Sequence, residues 1–598
     1  MSLVIEIQKS VIESLQLLYD KIFTEKDFQV SQTKPEFEGD YTVVLFSLVK
    51  SLQRSPDIIG NLLGKKLVDN YPTLFTKYNI IKGFLNLSVN EAYWIDLLEK
   101  YHKDICFGKK PLNGKRIMVE YSSPNTNKPL HLGHLRNNFL GWSVGEILRA
   151  NGYEVTKTCI VNDRGIHICK SMIAWEKFGD RSTPTSTKIK GDHFVGDFYV
   201  RFNQEYIKQV DELISAGTGK EEAEKEAPIM KETQVMLHDW EAGKPDVMEL
   251  WKKMNAWVYE GFNSTYKRIG SDFDKTYFES NTYLLGKEFV KEGLEKDVLY
   301  KKEDASVWID LTEEGLDEKL LLRKDGTSVY MTQDIGLAKQ KFEEFVPSKS
   351  IYVIGDEQNH HMKVLKAICR KLGFLFADDI YHLSYGMVEL TTGKMKSREG
   401  TVVDADDLID EMVATAKRHT EELGKVKDFT DDELKDLYEV LGLGAMKFYL
   451  LRVEPKKRMV FNPEESIDFH GFTGPFIQYT FARIQSILRK VAASNSVEIL
   501  SPRVETHSPL LPLEKAVIIQ LEQYPEAIQQ AAEEMNPSVI ANYIFNLAKS
   551  FNSFYTDHSI ANAESEHKKN LRLKIANMTA IVIESGMKLL GIRVPVRM

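Results

Sequence analysis

Strand patterns alternate with helical patterns in two separate stretches of the chain, and this alternation constrains the fold more than any other feature. The strand patterns lie at 116–123, 155–161, 350–357 and 380–388, and the helical patterns lie at 131–152, 166–179 and 360–373. Strand–helix–strand units of this length form parallel sheets with right-handed crossover connections. The alternation therefore predicts an α/β fold built on a doubly wound parallel sheet.

Three other regions surround this predicted core. Residues 1 to about 112 mix both patterns, with helices expected at 42–52 and 58–71 and one strand at 80–89, and a Gly-, Pro- and Lys-rich linker follows at 106–115. Residues from about 180 to 295 are polar, charged and mostly helical, so they are interpreted as an insertion. From about 401 the pattern is almost wholly helical. The expected domains are 1–112, 113–455 and 456–598.

Composition excludes several classes of protein. The 598 residues are 43% hydrophobic and 28% charged, which is ordinary for a globular protein and excludes a disordered, collagenous or coiled-coil chain. We find no apolar run of about 18 residues and no signal-peptide pattern, so we expect no membrane segment. The four cysteines form no CxxC pair, which argues against structural zinc and disulfides and favours a reducing cytoplasm.

The strongest local signal is the run from Glu120 to His134, EYSSPNTNKPLHLGH, which joins a strand to a helix. Ligands of open α/β sheets bind beyond the carboxyl ends of the strands, and a helix N-terminus there offers free N–H groups to phosphate. His131 and His134 lie three residues apart, on one face of the first turn, where both can donate to phosphate oxygens. Gly133 lets a base or ribose approach the backbone. Two alternatives remain open: helix caps and metal ligands.

A second signal is the loop Gly393–Gly400, which carries Lys394, Lys396 and Arg398. Three cations between glycines suit the electrostatic clamping of a phosphoryl transition state, although most basic loops are merely solvated. The two motifs, in this order and on either side of an insertion, are much more specific together than either is alone.

This pair of motifs resembles the HIGH and KMSKS signatures of class I aminoacyl-tRNA synthetases. The segments EYSSPNTNKPLHLGHLRN, VYMTQDIG, GPFIQYTFARIQSILRK and the terminal VRM resemble the arginyl-tRNA synthetases in particular. The resemblance extends over nearly the whole chain, since FEGDY and GFLNLSVN are similar to that family's N-terminal tRNA-binding domain. It implies a Rossmann-type catalytic domain, an N-terminal α+β domain and a C-terminal all-α anticodon-binding bundle.

The resemblance implies that arginine and Mg²⁺-ATP give arginyl-adenylate and pyrophosphate, after which arginine is transferred to tRNA(Arg) and AMP is released. His131 and His134 would bind phosphate. The KMSKS pattern is altered, because its fourth position is Ser397. In arginyl enzymes that lack that lysine, a lysine just before HxGH takes its place. Lys128 is therefore preferred to Lys396 as the source of the missing charge. Lys394 occupies the first position of the KMSKS pattern, where the lysine is retained.

The family's substrate contacts map onto further residues. A guanidinium needs paired, bidentate acceptors; Glu120 and Asp334 would hold it, with Tyr330 on the same helical face as Asp334. Asn125 and Gln358 would hold the α-amino and carboxyl end, and Ser122 belongs to the same expected pocket. ATP would lie against His131, His134 and Gly133, with its ribose and adenine on the residues Gly355, Asp356, Gly386 and Met387. The Mg²⁺ would be carried by the phosphates, so no protein metal site and no zinc are expected.

Charge distribution matters more than the net charge of −9. Residues 401–440 hold 13 acidic and 5 basic residues, a net of −8, whereas 445–490 hold 8 basic and 4 acidic, a net of +4. In the basic stretch Phe476, Tyr479 and Arg483 share one helical face, which is either an ordinary core face or a surface for unpaired bases. The resemblance favours the second reading and adds Tyr555 and Met598 to the anticodon surface.

Three alternatives to an arginyl enzyme remain: a cysteinyl or methionyl relative, which would usually carry cysteine-held zinc; a silent RNA-binding paralogue; and a small nucleotidyltransferase, which would not need residues 401–598. The resemblance further implies a cytoplasmic monomer that needs tRNA before it activates arginine. Its partners would be tRNA(Arg), L-arginine and ATP, with no membrane.

Overall fold

The computed structural model describes residues 3–34, 36–390, 403–422, 424, 428–494 and 509–598. Its N-terminal part is a four-stranded antiparallel sheet in the order β1-β2-β4-β3 with helices packed against it. The elements are α1 (Leu3–Tyr19), β1 (Gln29–Gln32), β2 (Tyr41–Val44), α2 (Phe46–Leu52), α3 (Pro56–Asn70), β3 (Phe75–Ile81), β4 (Phe84–Val89) and α4 (Glu91–Tyr101).

Two expectations for this part were wrong. The helix expected at 42–52 begins only at Phe46, because the residues Tyr41–Val44 pair with strands on both sides. The single strand expected at 80–89 is the second half of a hairpin. Lys82 (φ 49°) and Gly83 (φ 82°) reverse the chain there, and positive φ at two successive residues is the geometry that joins adjacent antiparallel strands.

The next part carries the central sheet and the insertion. Its elements are β5 (Arg116–Glu120), α5 (Leu132–Ala150), β6 (Glu154–Val161), α6 (Ile166–Phe178), α7 (Pro184–Thr187), α8 (Gly191–Ser215), α9 (Lys220–Glu226), α10 (Pro228–Glu241), α11 (Pro245–Ile269), β7 (Lys275–Phe278), α12 (Glu279–Thr282) and α13 (Lys287–Glu295). They continue with β8 (Tyr300–Lys301), β9 (Val307–Ile309), β10 (Lys319–Leu322), α14 (Tyr330–Phe345), β11 (Lys349–Gly355), α15 (Asn359–Lys371), β12 (Ile380–Tyr385) and β13 (Val388–Leu390).

The central sheet is parallel throughout, in the order β12-β11-β5-β6-β7, which confirms the predicted α/β core. Its edge strand β7 lies inside the stretch expected as a helical insertion, so the run of helices between β6 and β7 ends at Ile269. Strands β8–β10 form a small antiparallel sheet that the periodicity did not predict.

The remaining described residues are almost wholly helical, as expected. The elements are α16 (Ala405–Glu422), α17 (Asp431–Leu451), β14 (Met459–Phe461), α18 (Pro463–Ser466), α19 (Gly474–Ser494), α20 (Pro512–Glu522), α21 (Tyr524–Glu534), α22 (Pro537–Asp557) and α23 (Glu566–Leu589). The exception is β14, which pairs in parallel with β13 and so joins this part to the central region.

One large apolar core runs from the N-terminal sheet through α5 and into the C-terminal helices, and a second lies around β9, β10 and α13–α15. Polar contacts also join the two ends of the chain. The carboxylate of Glu522 accepts from the Leu3 N–H (2.7 Å) and the Tyr41 hydroxyl (3.2 Å), and Lys515 pairs with Asp40 at 2.7 Å. Among the described helices, none has the length and apolar character needed to span a bilayer.

Candidate active site

The HLGH segment forms the first turn of α5, where β5 delivers the chain to the carboxyl edge of the sheet. His131 is the N-cap, and its Nδ1 accepts from the Gly133 N–H at 3.1 Å. His134 closes the reciprocal bond, because its Nδ1 accepts from the His131 N–H at 3.2 Å. The two ring centroids are 3.9 Å apart. The helix-cap alternative therefore describes the Nδ1 atom of each ring, and the Nε2 atoms take no part in the capping.

The capping bonds also determine what the other nitrogens can do. Burial lowers the pKa of His131 to about 4, with the Lys128 charge acting in the same direction, and burial lowers the pKa of His134 well below its ordinary range. Both rings are thus neutral at pH 7. A neutral imidazole whose Nδ1 accepts carries its proton on Nε2, so each ring presents one Nε2–H donor beside the helix N-terminus.

A cavity of about 510 Å³ opens at this turn. Lys128 and His131 line one side of it, and α8 of the insertion lines the other with His193, Tyr199 and Arg201. The half-buried Lys128 is near enough to lower the pKa of both histidines of the turn. The sequence predicted the first side of the cavity and did not predict the second.

The floor of the site is a buried ion pair that the sequence did not predict. Glu120, at the carboxyl end of β5, pairs with Lys341 of α14, and their side chains are 8% and 2% exposed. The Lys341 ammonium also lies over the rings of Tyr277 (5.2 Å) and Tyr352 (5.4 Å). Only the tertiary fold reveals this partner, since 221 residues separate the two charges.

Asp334 lies on the first turns of α14 and accepts from His361 Nε2 of α15 at 2.7 Å. Burial raises the pKa of Tyr352, and the charges of Glu120 and Asp334 raise it further, so both carboxylates lie close to this one phenol. Both carboxylates expected to hold a guanidinium thus act on the same phenol. Tyr330, Asn125 and Gln358 are exposed: Tyr330 begins α14, Gln358 precedes α15, and Asn125 lies in the loop that follows β5.

Ser122 is placed differently from the other expected pocket residues. Its hydroxyl is buried, bonds to the Tyr266 hydroxyl at 2.7 Å and accepts from Asn138 at 3.1 Å, while its N–H donates to Asn137 Oδ1 at 2.6 Å. With φ at 84° it sits in the left-handed region, which a serine adopts only where its surroundings hold it. These contacts fix the loop that leaves β5.

The expected nucleotide residues lie beyond the ends of β11 and β12. Asp356 follows β11, and its Oδ2 pairs with Arg458 at 3.4 Å, while its buried Oδ1 has no hydrogen-bond partner within the described part of the chain. Gly386 and Met387 connect β12 to β13, and Arg136 of α5 donates to both of their carbonyls. Lys394 and Lys396 lie outside the described residues.

The expected anticodon surface is a second cavity, of about 450 Å³, in the C-terminal helices. Tyr479, Arg483, Tyr555 and Met598 line it, together with basic residues that the sequence did not predict, namely Arg489, Lys490 and Arg597. The Arg483 guanidinium lies 4.8 Å from the Tyr479 ring centroid and donates to Asn552 at 2.6 Å.

Phe476 lies outside this lining, since its ring packs against Phe545 at 5.2 Å. Of the three residues on this helical face, Phe476 packs into the apolar core, whereas Tyr479 and Arg483 line the open cavity.

One further group could in principle hold a metal ion. Asp192, His193 and Asp406 bring ligand atoms within 4.8 Å of one another. The Lys190 ammonium lies among them, 3.0 Å from Asp192 and 2.6 Å from Asp406, so a cation of the protein itself already neutralises this group. The hydrogen bonds that His193 donates to the carboxylates of Asp404 and Asp406 raise its pKa to about 10.

A parallel sheet whose carboxyl edge carries an HLGH turn, followed by a helical C-terminal part, defines a class I aminoacyl-tRNA synthetase. The family model described as "tRNA synthetases class I (R), catalytic domain" matches residues 97–462. The "Arginyl tRNA synthetase N terminal domain" matches 5–89, and the "DALR anticodon binding domain" matches 477–598. The chain belongs to the arginyl-tRNA synthetase family.

Relatives and solved structures agree with this assignment. The chain is 52% identical to the arginine–tRNA ligase of Bacteroides thetaiotaomicron, with 98% of each chain covered, and 51% identical to that of Flavobacterium psychrophilum, with 100% of each covered. The structure of the Thermus thermophilus arginyl-tRNA synthetase matches with a TM-score of 0.80 at 25% identity and full coverage of both chains. That of the Plasmodium falciparum enzyme has the same fold, with a TM-score of 0.76 at 18% identity, covering 100% and 99%.

Proposed function

We propose that this chain ligates L-arginine to tRNA in protein synthesis, and that the groove beside the HLGH turn is where it does so. The activity follows from membership of the family, which uses ATP as a substrate. The observation that best supports the location is the pair of neutral imidazoles, each capped through Nδ1 and each offering Nε2–H at the N-terminus of α5.

In the first step a carboxylate oxygen of arginine attacks the α-phosphorus of Mg²⁺-ATP, and the bond to the bridging oxygen breaks to release pyrophosphate. His131, His134 and the α5 N-terminus would donate to the phosphate oxygens, whose charge grows during displacement. Lys128 would supply the charge that the altered KMSKS pattern lacks, and Lys394 and Lys396 of that pattern would act with it.

The nucleoside would lie across the ends of β11 and β12. Asp356 Oδ1 has no hydrogen-bond partner among the described residues, and a ribose hydroxyl is a donor that would satisfy this acceptor at the end of β11. Gly355 leaves room for the sugar beside this carboxylate. Gly386 and Met387 would border the adenine through their backbone.

Arginine would bind over the buried floor of the site. Asp334, oriented by His361, and Glu120, oriented by Lys341, would accept from the guanidinium, because two fixed carboxylates suit its planar array of donors. Tyr330 would cover the side chain. Asn125 and Gln358 would hold the α-amino and carboxyl groups, and Ser122 would contribute by holding the loop on which Asn125 lies.

In the second step a hydroxyl of the terminal tRNA ribose attacks the arginyl carbonyl, and AMP leaves. We assign anticodon contacts to Tyr479, Arg483, Tyr555 and Met598, whose cavity combines cations with aromatic rings. Phe476 would support that surface from beneath. The proposed domains are residues 1–112 for tRNA binding, 113–455 for catalysis, with an insertion around 180–295, and 456–598 for the anticodon.

The same proposal includes a monomer that acts in the cytoplasm on tRNA(Arg), with Mg²⁺ carried by ATP and no zinc. We also expect the protein to exchange little pyrophosphate into ATP before tRNA is bound. Chelation of bound metal before assay should leave activity intact once Mg²⁺ is restored.

Aminoacylation of total tRNA with each amino acid in turn tests the substrate. We expect charging with arginine only, and charging with any other amino acid would refute the specificity. The location is tested by His134→Asn against His238→Asn, a matched control whose exposed side chain lies on α10. Loss of exchange activity should be confined to the first variant.

A further inference from the structure

We propose that Arg136 is a positioning residue for ATP, which holds the backbone that borders the adenine. This role rests on the proposed function, because it assumes that the base lies against Gly386 and Met387. Arg136 is on α5, two residues after His134, and is only 2% exposed. Helical periodicity alone does not distinguish it from an ordinary surface arginine of an amphipathic helix.

The guanidinium joins two separate chain segments. Its Nη1 donates to the carbonyls of Gly386 (2.7 Å) and Met387 (3.2 Å). Its Nη2 donates to the carbonyls of Pro455 (3.2 Å) and Lys457 (2.8 Å). One amino group of the guanidinium therefore donates to the connection between β12 and β13, and the other donates to the segment that leads into β14.

These two segments also contact each other directly. The Gly386 N–H donates to the Pro455 carbonyl at 2.9 Å, and the Met459 N–H donates to the Met387 carbonyl at 3.1 Å. A Cβ on Gly386 would lie 2.6 Å from backbone atoms of Lys457 and Arg458, so glycine is required for this approach. With its N–H and carbonyl both engaged inside the protein, Gly386 has its peptide orientation determined before any ligand binds.

A planar guanidinium is suited to this task and an ammonium is not. Four carbonyls lying in two directions need donors in a rigid fork, whereas a lysine offers donors from a single point. Burial lowers the pKa of Arg136 to about 10, which still leaves it charged at pH 7. Hydrogen bonds from a charged donor are stronger than neutral ones, and in a buried site they hold the acceptors in place.

Arg136 lies on the same helix, α5, as the two histidines of the HLGH turn. The first turn of α5 carries the proposed phosphate donors, and its next turn fixes the backbone proposed to border the base. The neighbouring Asn137 acts similarly on the sheet, donating to the Val353 carbonyl at 2.7 Å and the Tyr385 hydroxyl at 3.2 Å. One rigid helix would thus set the spacing between the two ends of the nucleotide.

The test compares Arg136→Lys with Arg149→Lys in pyrophosphate exchange in the presence of tRNA. Arg149 is a matched control, since it lies at the far end of α5 and also donates to a carbonyl, that of Val155 at 2.9 Å. We expect Arg136→Lys to raise the KM for ATP about tenfold or more, the scale of one lost charge-assisted hydrogen bond. The KM for arginine should change less than about twofold, and Arg149→Lys should change neither constant.

Base selection is a readout that a merely structural role would not change. If Arg136 holds the backbone that borders the base, Arg136→Lys should lower the preference for ATP over GTP in kcat/KM, and Arg149→Lys should not. An equal rise in the KM for both substrates, or unchanged base selection, would overturn the proposal. Absence of exchange by the unaltered protein with arginine, ATP and tRNA would instead refute the proposed function.

A measurement on the unaltered protein covers the case in which Arg136→Lys does not fold. Amide hydrogen exchange is followed with and without α,β-methylene-ATP. We expect the analogue to slow exchange in 386–390 and in 455–461 together, because the Arg136 guanidinium joins them. Protection of 386–390 without any change in 455–461 would overturn the proposal.

Discussion

Replacing Lys341 by methionine tests the buried floor of the site. Methionine keeps most of the length of the side chain and removes the charge, so the change isolates the ion pair with Glu120. The two side chains are 2% and 8% exposed, and the ammonium also lies over Tyr277 and Tyr352. Lys341→Met therefore leaves a carboxylate in a pocket that water scarcely reaches.

The expected loss can be worked from this burial. Removing one partner of a buried ion pair costs about 3–5 kcal/mol, because the remaining charge loses its compensation. The double variant Glu120→Gln/Lys341→Met buries no charge, so it should recover at least half of the loss. The control is Lys275→Met, which breaks the pair between Lys275 of β7 and Glu344 of the same helix α14, where Lys275 is 46% exposed. Such a surface pair contributes roughly 0–1 kcal/mol.

The assay is urea denaturation followed by pulsed amide hydrogen exchange in β5 and α14, which reports on the region that carries the pair and does not require a working arginine site. Lys341→Met should shift the midpoint to lower urea, and Lys275→Met should leave it nearly unchanged. A loss below about 1 kcal/mol for Lys341→Met would show that the pair is solvated. A double variant no more stable than Lys341→Met would show that the cost comes from packing and not from the unpaired charge.

Three further outcomes are expected. His134→Asn should lower kcat for pyrophosphate exchange about 10²–10³-fold, the usual effect of losing one positioned donor, with the KM for arginine nearly unchanged. The pKa of His193 in the folded protein is raised to about 10. The stabilisation by its protonated ring is therefore complete below about pH 6.5 and is lost as the pH rises through about 10. His193→Gln should make the melting temperature depend less on pH over that range. Tyr479→Leu should weaken tRNA binding by ~1–3 kcal/mol in a filter-binding titration, since it removes one stacking ring, while the KM for ATP stays constant.

Local signals accounted for much of the site. The HLGH turn was predictable because its two capping histidines, its glycine and its helix are adjacent in the chain, and capping is a local interaction. Asp334 and Tyr330 were named by the resemblance, and their spacing of four residues puts them on one face of the helix that the structure shows there. The hairpin at Lys82 and Gly83 was missed because a continuous apolar run hides a two-residue turn when no Asn–Gly or Asp–Gly marks it.

The partners of these residues were not predictable, since they come from elements far away in sequence. Lys341 belongs to none of the sequence motifs, and only the packing of α14 onto β5 buries it against Glu120. Similarly, only the approach of the segment before β14 to the β12–β13 connection creates the four acceptors around Arg136.

By itself, then, the amino-acid sequence determined the strand–helix alternation of the central parallel sheet, the family, and the short motifs whose geometry is set within a few residues. The tertiary structure decided which charges are buried, which carbonyls face one another, and which of three aromatic and basic residues on α19 line a cavity. The physical reason is that periodicity and capping depend on neighbours along the chain, whereas burial and electrostatic pairing depend on neighbours in space.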